Sequence, residues 1–265
     1  MIKLDNIVKI FDENTSFKNK VIDGISLSIN DGDFITIIGS NGAGKTTLFN
    51  LISGNIFPTS GKIFIDDEDV TGKPEHKRSQ YIGRIFQNPL LGTASNMTIE
   101  ENLMIALKKG MRGLRISFNN KLRKFFKDQL SQLNMRLENR IGSYVGSLSG
   151  GQRQALTLLM MVLSRPRLIL LDEHTAALDP RNSDIVLELT NKFIEEYKLT
   201  TVMITHNMNY AIEHGTRLLM MDRGRIIFEM NGNEKMSITR DKLVERFHEA
   251  TKSDFQSDEA LLSKE

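Results

Sequence analysis

Residues Gly39 to Thr46 read GSNGAGKT, between an apolar run ending at Ile38 and a helical pattern from Lys45 to Ser53. This fits the P-loop pattern G-x-x-x-x-G-K-S/T without deviation, in its required setting of strand, loop and helix. The glycines let the backbone from Gly39 through Ser40, Asn41, Gly42, Ala43 and Gly44 wrap its N–H groups around phosphate oxygens. The following helix adds the positive end of its dipole, about half a charge. Lys45 is expected to reach the β and γ phosphates of a nucleotide, the Thr46 hydroxyl to ligate Mg²⁺, and Thr47 to bond the α phosphate. The bland alternative, a glycine-rich turn with an incidental lysine, does not account for the flanking strand and helix.

Outward from this loop, apolar and polar residues alternate over Ile2–Ile10 and Val21–Ile29, the pattern of half-buried antiparallel strands. Lys62–Asp66 and Arg84–Phe86 read as further strands, with loop from Asp67 to Lys77. From about Thr98 to Leu163 the period is helical, with Leu122, Phe125, Phe126, Leu130 and Leu133 on one face. Leu168–Leu171 is a buried-strand run, Pro180–Tyr197 an amphipathic helix, Thr201–Thr205 a strand and Asn207–His214 a short helix. Leu218–Met221 and Arg225–Phe228 close as a strand pair. Strands alternating with helices predict an α/β fold with a mostly parallel sheet, an antiparallel β subdomain and a helical insertion.

The 265 residues, 40% hydrophobic and 26% charged, suffice for one large domain. A net charge of +2 argues neither for nor against nucleic acid, and the absence of cysteine excludes disulfides and thiolate metal sites. The longest apolar stretch, Ala155–Leu163, falls short of the roughly 20 residues that span a bilayer. The charged, alternating N-terminus is unlike a secretory signal.

A P-loop alone is shared by many nucleotide-hydrolysing families. Leu148–Gln152 reads LSGGQ, and it resembles the signature motif of the ATP-binding cassette (ABC) ATPases. The serine and two glycines at a helix start again form an anion-binding arrangement. The resemblance implies that Ser149, Gly150, Gly151 and Gln152 face the ATP held by a second cassette in a head-to-tail pair. Other landmarks follow in order. LILLDE, Leu168–Glu173, resembles the Walker B strand, which implies Asp172 in the Mg²⁺ shell and Glu173 as general base. Gln87 matches the Q-loop glutamine, contacting Mg²⁺ or water, and His206 the switch histidine. Ala177, Leu178 and Asp179 resemble the D-loop. Phe11 stands where an aromatic stacks on adenine, with ordinary core packing as its alternative. One residue departs from the pattern: His174 replaces the proline that often follows the catalytic glutamate.

The resemblance covers roughly Ile2 to Met230 and implies an ABC ATPase domain over residues 1–250, with a helical subdomain at about 98–163 and a polar tail at 251–265. The implied partners are a second ABC ATPase subunit in a homodimer, a separate permease and, for an importer, a solute-binding protein, at the cytoplasmic side of the membrane. No nucleic-acid partner is expected. Phrasing such as NMTIEENLMIAL, Asn96–Leu107, looks similar to the ATPases of branched-chain amino acid importers and of a related importer family. Import of an amino acid or similar small solute is therefore the first reading, and an exporter or lipid-extraction ATPase the second. DNA-repair and translation ABC ATPases need a long coiled coil or two cassettes in one chain, and a small-molecule kinase would leave LSGGQ unexplained. Lys108, Lys109, Arg112, Arg115, Lys121, Arg123, Lys124 and Lys127 form a basic run, readable as a membrane-facing patch or as a solvated helix face.

Overall fold

The predicted alternation of strand and helix is realised, as a computed structural model of the protein that describes residues 1–12, 18–107 and 120–250. In chain order the elements are β1 (Ile2–Phe11), β2 (Asn19–Ile29), β3 (Phe34–Gly39), α1 (Lys45–Ser53), β4 (Ser60–Ile65), β5 (Glu68–Asp69), α2 (Glu75–Arg78), β6 (Ile82–Ile85), α3 (Ile99–Leu107), α4 (Asn120–Ser131), α5 (Gly150–Ser164), β7 (Leu168–Asp172), α6 (Pro180–Tyr197), β8 (Thr201–Ile204), α7 (Met208–Glu213), β9 (Arg217–Asp222), β10 (Arg225–Asn231) and α8 (Gly232–Ser237). They fall into two units, Met1–Arg78 with the chain from Thr201 onward, and Ser79–Thr200.

In the first unit, β2-β1-β4-β5 form an antiparallel sheet. Ile2 faces Ile29 and Leu4 faces Leu27 across the β1–β2 pair. The inward positions are buried and their neighbours exposed, the outcome of period-two patterning on a sheet with one wet face. A second set of strands runs β10-β9-β3-β8, with β3 parallel to both β8 and β9 and β10 closing antiparallel on β9. Central β3 is buried from Phe34 to Ile38, as expected of a strand covered on both faces. In the second unit β6 and β7 pair in parallel, and α5 packs against β6, α3 and α6.

The segment read as loop between Asp67 and Lys77 holds both the short strand β5 and the start of α2. Leu133 lies just beyond α4, where a turn places it in the core. Past Asn231 the chain forms α8 and a helical stretch over residues 240–250, neither expected from sequence; Ile238 and Leu243 there pack on Ile38, Leu218 and Met220. No helix of the described residues is long and apolar enough to cross a membrane. The tail at 251–265 and the basic residues Lys108, Lys109, Arg112 and Arg115 lie outside the described residues.

One buried cation anchors the helix that follows the P-loop. Arg78 is fully buried, and its Nη1 donates to the carbonyls of Leu51 and Ile52 at 2.7 and 2.9 Å, in the last turn of α1. Its Nε donates to Lys73 O and its Nη2 to Thr71 O, both at 2.8 Å. Burial pushes the guanidinium down to about 10, so it stays protonated at neutral pH. The last carbonyls of a helix lack intrahelical partners, and Arg78 satisfies two of them where water cannot. Arg78→Met keeps most of the volume, takes its guanidinium from the Ile52 carbonyl and leaves the Leu51 carbonyl the longer bond from Gly54 N at 3.3 Å. It is expected to destabilise the fold by about 3 kcal/mol, read as a thermal midpoint lowered by several degrees; an unchanged midpoint would refute this account.

Candidate nucleotide-binding and hydrolytic site

The phosphate cradle is set by three glycines with positive φ, Gly39 (154°), Gly42 (82°) and Gly44 (95°). A Cβ on Gly39 would lie 2.1 Å from Met221 O and one on Gly44 2.8 Å from Val21 O, so both positions are closed to side chains by backbone. Gly44 is the N-cap of α1 and makes no side-chain cap, and the first turn carries no acid. No side chain therefore competes with an anion at the start of α1. The buried Lys45 sends Nζ to Gly39 O and Ser40 O, each 2.9 Å away, which fixes the cation at the mouth of the loop. Ser40 Oγ donates to Asp222 Oδ1 at 2.8 Å, and Gly224 N to Ala43 O at 3.0 Å, tying the loop to the β9–β10 turn. Asn41 and Thr46 are exposed and Thr47 is half-buried. Exposed His206, just past β8, lines a pocket of about 140 Å³ with Gly39, Ser40 and Thr205.

Phe11 ends β1 with 38% of its surface exposed and Lys9 Nζ 5.1 Å from its ring centre. Phe11 is thus exposed at the end of the strand and not part of the buried core.

The remaining predicted residues belong to the second unit. All five residues of β7 are buried, and the strand ends at Asp172. Asp172 Oδ2 accepts from Arg84 Nη2 at 2.7 Å in a nearly buried ion pair. Arg84 in turn stacks over Phe86, 4.8 Å from the ring centre. Asp172, Gln87, Asn88, Phe86, Leu91 and Ala177 line an open cleft of about 390 Å³. Glu173 has φ 46°, a left-handed conformation that costs a side-chain-bearing residue about 1–2 kcal/mol and that turns the chain sharply off the strand. Its carbonyl accepts from Ala176 N at 2.9 Å.

Ser149 is the N-cap of α5 in a reciprocal capping box: its Oγ accepts from Gln152 N at 3.3 Å, and Gln152 Oε1 accepts from Ser149 N at 3.2 Å. A Cβ on Gly151 would meet the Asn182 side chain at 2.8 Å, so this glycine has a packing reason of its own, while Gly150 is exposed. Asp179 caps α6 in the same way, accepting from Asn182 N at 3.1 Å and from Asn182 Nδ2 at 2.6 Å, which holds its carboxyl below the usual range. His174 does not present its ring to the cleft. It is buried, its Nε2 lies 3.0 Å from Thr190 Oγ1, and burial pushes it down to about 4, so the ring is neutral.

Sequence reasoning missed Arg78, Arg84 and Gln154. Gln154 could have been suspected, since it stands at the head of the apolar run Ala155–Leu163, where a polar side chain has no wet face to occupy. The oxygens of Thr46, Asp172 and Gln87 suit a hard cation. Among the described residues no group of three or more His, Cys, Asp or Glu could hold a metal alone. By donor type each of these oxygens fits Mg²⁺.

A family model described as ABC transporter matches residues 22–176. The Tyrosine transport ATP-binding protein of Clostridioides difficile is 41% identical over 255 residues, covering 94% of this chain and 100% of that protein. The Methionine import ATP-binding protein MetN 1 of Oceanobacillus iheyensis is 36% identical over 268 residues, covering 99% and 75%. Among solved structures, a dimeric ATP-binding cassette in a post-hydrolysis state bound to ADP and Pi superposes with TM-score 0.71 at 27% identity, covering 87% of this chain and 98% of that one.

With Lys45 expected to reach phosphate through a charge-assisted bond, Lys45→Ala should weaken ATP binding about 10- to 100-fold, the equivalent of ~1.5–3 kcal/mol. Calorimetry checks it, and parental affinity would count against the cradle. Phe11→Ala should weaken ATP and GTP alike, by about 1–3 kcal/mol, because stacking uses the face of a base and ignores its edge. Unequal losses would assign base recognition to another residue.

Proposed function

The chain belongs to the ABC transporter family of ATP-hydrolysing transport subunits, and from that premise we propose that it drives import of an amino acid or similar small solute through a membrane-spanning permease on another polypeptide. The observation that carries the nucleotide part of this reading is the cradle itself, an α1 start with no side-chain cap and Lys45 held at its mouth. The solute class is supported by the relatives, named for tyrosine transport and methionine import, that match nearly the full chain. Leu90 and Leu91, following Gln87, are 53% and 64% exposed, and apolar side chains in such a loop suit burial against a partner.

In this reading the amides from Gly39 to Thr46 and Lys45 Nζ bind the phosphates, Thr47 adds a bond to the α phosphate, and Phe11 stacks on the base. Thr46, Asp172 and Gln87 would hold Mg²⁺, which neutralises charge on the phosphate oxygens. Glu173 takes the proton of the attacking water, and His206 donates to the γ phosphate as charge develops there. Ser149, Gly150, Gly151 and Gln152 engage the nucleotide of a second copy, so that two equivalent sites form in a homodimer at the cytoplasmic face of the membrane. A solute-binding protein would deliver the cargo from outside.

Glu173→Gln should retain ATP affinity and lose about 10²- to 10⁴-fold in turnover. Size-exclusion chromatography with ATP and Mg²⁺ should then show a stable dimer; undiminished hydrolysis in the variant would overturn the assignment. Deleting the gene should abolish uptake of a labelled amino acid, and unchanged uptake of all twenty would refute the solute class.

A further inference from the structure

The side chain of Gln154 is wholly buried in α5. Its single amide nitrogen donates to two main-chain carbonyls, His174 O at 2.6 Å and Phe86 O at 3.3 Å. A primary amide has two N–H groups, one for each bond. His174 directly follows Glu173, and Phe86 directly precedes Gln87. One side chain therefore joins the Phe86–Gln87 peptide to the carbonyl of the residue that follows Glu173, and it does so from the second turn of the helix that opens with LSGGQ.

The far side of the same connection is also anchored. The Thr190 hydroxyl donates to Val186 O at 2.8 Å within α6, so its oxygen is an acceptor for the His174 ring. With the Thr190 proton committed to Val186 O, the His174 Nε2 is the donor in this contact. His174 is thus gripped twice, by its carbonyl from α5 and by its ring from α6. Glu173, one residue away, sits in the left-handed conformation that a free chain would leave. Such a conformation persists only where its surroundings hold it.

We propose that Gln154 is a positioning residue for hydrolysis: with His174 and Thr190 behind it, it holds Glu173 and the end of β6 in register with the signature helix. This deepens the function proposed above and rests on Glu173 being the general base. In this role His174 does work that a proline could not do with its ring, because a proline offers no proton to Thr190. The bracket touches no nucleotide, so it acts on the placement of the base and leaves ATP affinity alone.

Steady-state hydrolysis by the full chain tests this. Gln154→Leu is expected to lower kcat about 10- to 100-fold, the scale of an ångström-sized misplacement of a reacting group, with KM for ATP changed by less than about twofold because no phosphate-binding residue is touched. In single turnovers on the Glu173→Gln background, adding Gln154→Leu should cause no further loss, since residues that act as one unit are not additive. An unchanged kcat, a loss expressed in KM, or losses that multiply in the double variant would each overturn the proposal. Should Gln154→Leu fail to fold, as judged by thermal melting, Thr190→Val decides: it should lower kcat about 3- to 10-fold at constant KM, and an unaltered kcat would overturn the bracket. A Glu173→Gln variant that still turns over refutes the general base. An inactive Glu173→Gln beside a fully active Gln154→Leu refutes the bracket alone.

Discussion

A helix whose first amides are capped by no side chain is the constraint around which the first unit is organised. At Gly44 no side chain stands between the start of α1 and an approaching anion, where a serine, threonine, asparagine or aspartate would ordinarily cap the helix. The cost is a less stable helix start, offset at the other end, where Gly54 adopts the left-handed cap conformation and Arg78 collects the final carbonyls. The loop must also lie close against neighbouring backbone. Met221 and Val21 approach to distances that no Cβ would tolerate, so the glycines are required by contact as well as by φ.

The second unit solves a different problem, that of placing polar groups in a dry interior. α5 is buried along most of its length, including Arg153, Gln154 and Thr157. Arg153 Nη2 reaches the carbonyls of Gly146 and Leu148, each at 3.2 Å, and so supports the segment leading into the signature from beneath. Asp172 is balanced by Arg84 before any other cation is considered.

Much of the fold was legible because its elements follow strong local rules. Period two over β1 and β2, a mainly apolar run in β3 and β7, and an amphipathic period over α6 each follow such a rule, and P-loop and signature marked the candidate residues by type and spacing. The rest failed for identifiable reasons. β5 is two residues long and exists only because β4 offers it an edge, so no periodicity could announce it. Ile238 and Leu243, beyond α8, owe their place to contacts with Ile38, Leu218 and Met220, and α8 is held by Lys235 Nζ on the carbonyls of Ile212 and His214. Arg84 and Gln154 act through partners 88 and 68 residues distant, a relation that appears only when the chain is folded. His174 was visible as a departure from a pattern, but the direction in which its ring points was not.

The capping box at Ser149 bears on what this surface can recognise. A serine hydroxyl has one proton to give and two lone pairs to receive. Capping α5 uses a lone pair, on the Gln152 amide, and leaves the hydroxyl polarised as a donor. The same oxygen can stabilise its own helix and still present hydrogen to an incoming group, provided that group is an acceptor. The helix start therefore favours acceptors: an oxyanion can take the hydroxyl proton at the positive end of the helix dipole, whereas an ammonium would find there one remaining lone pair and a repelling field.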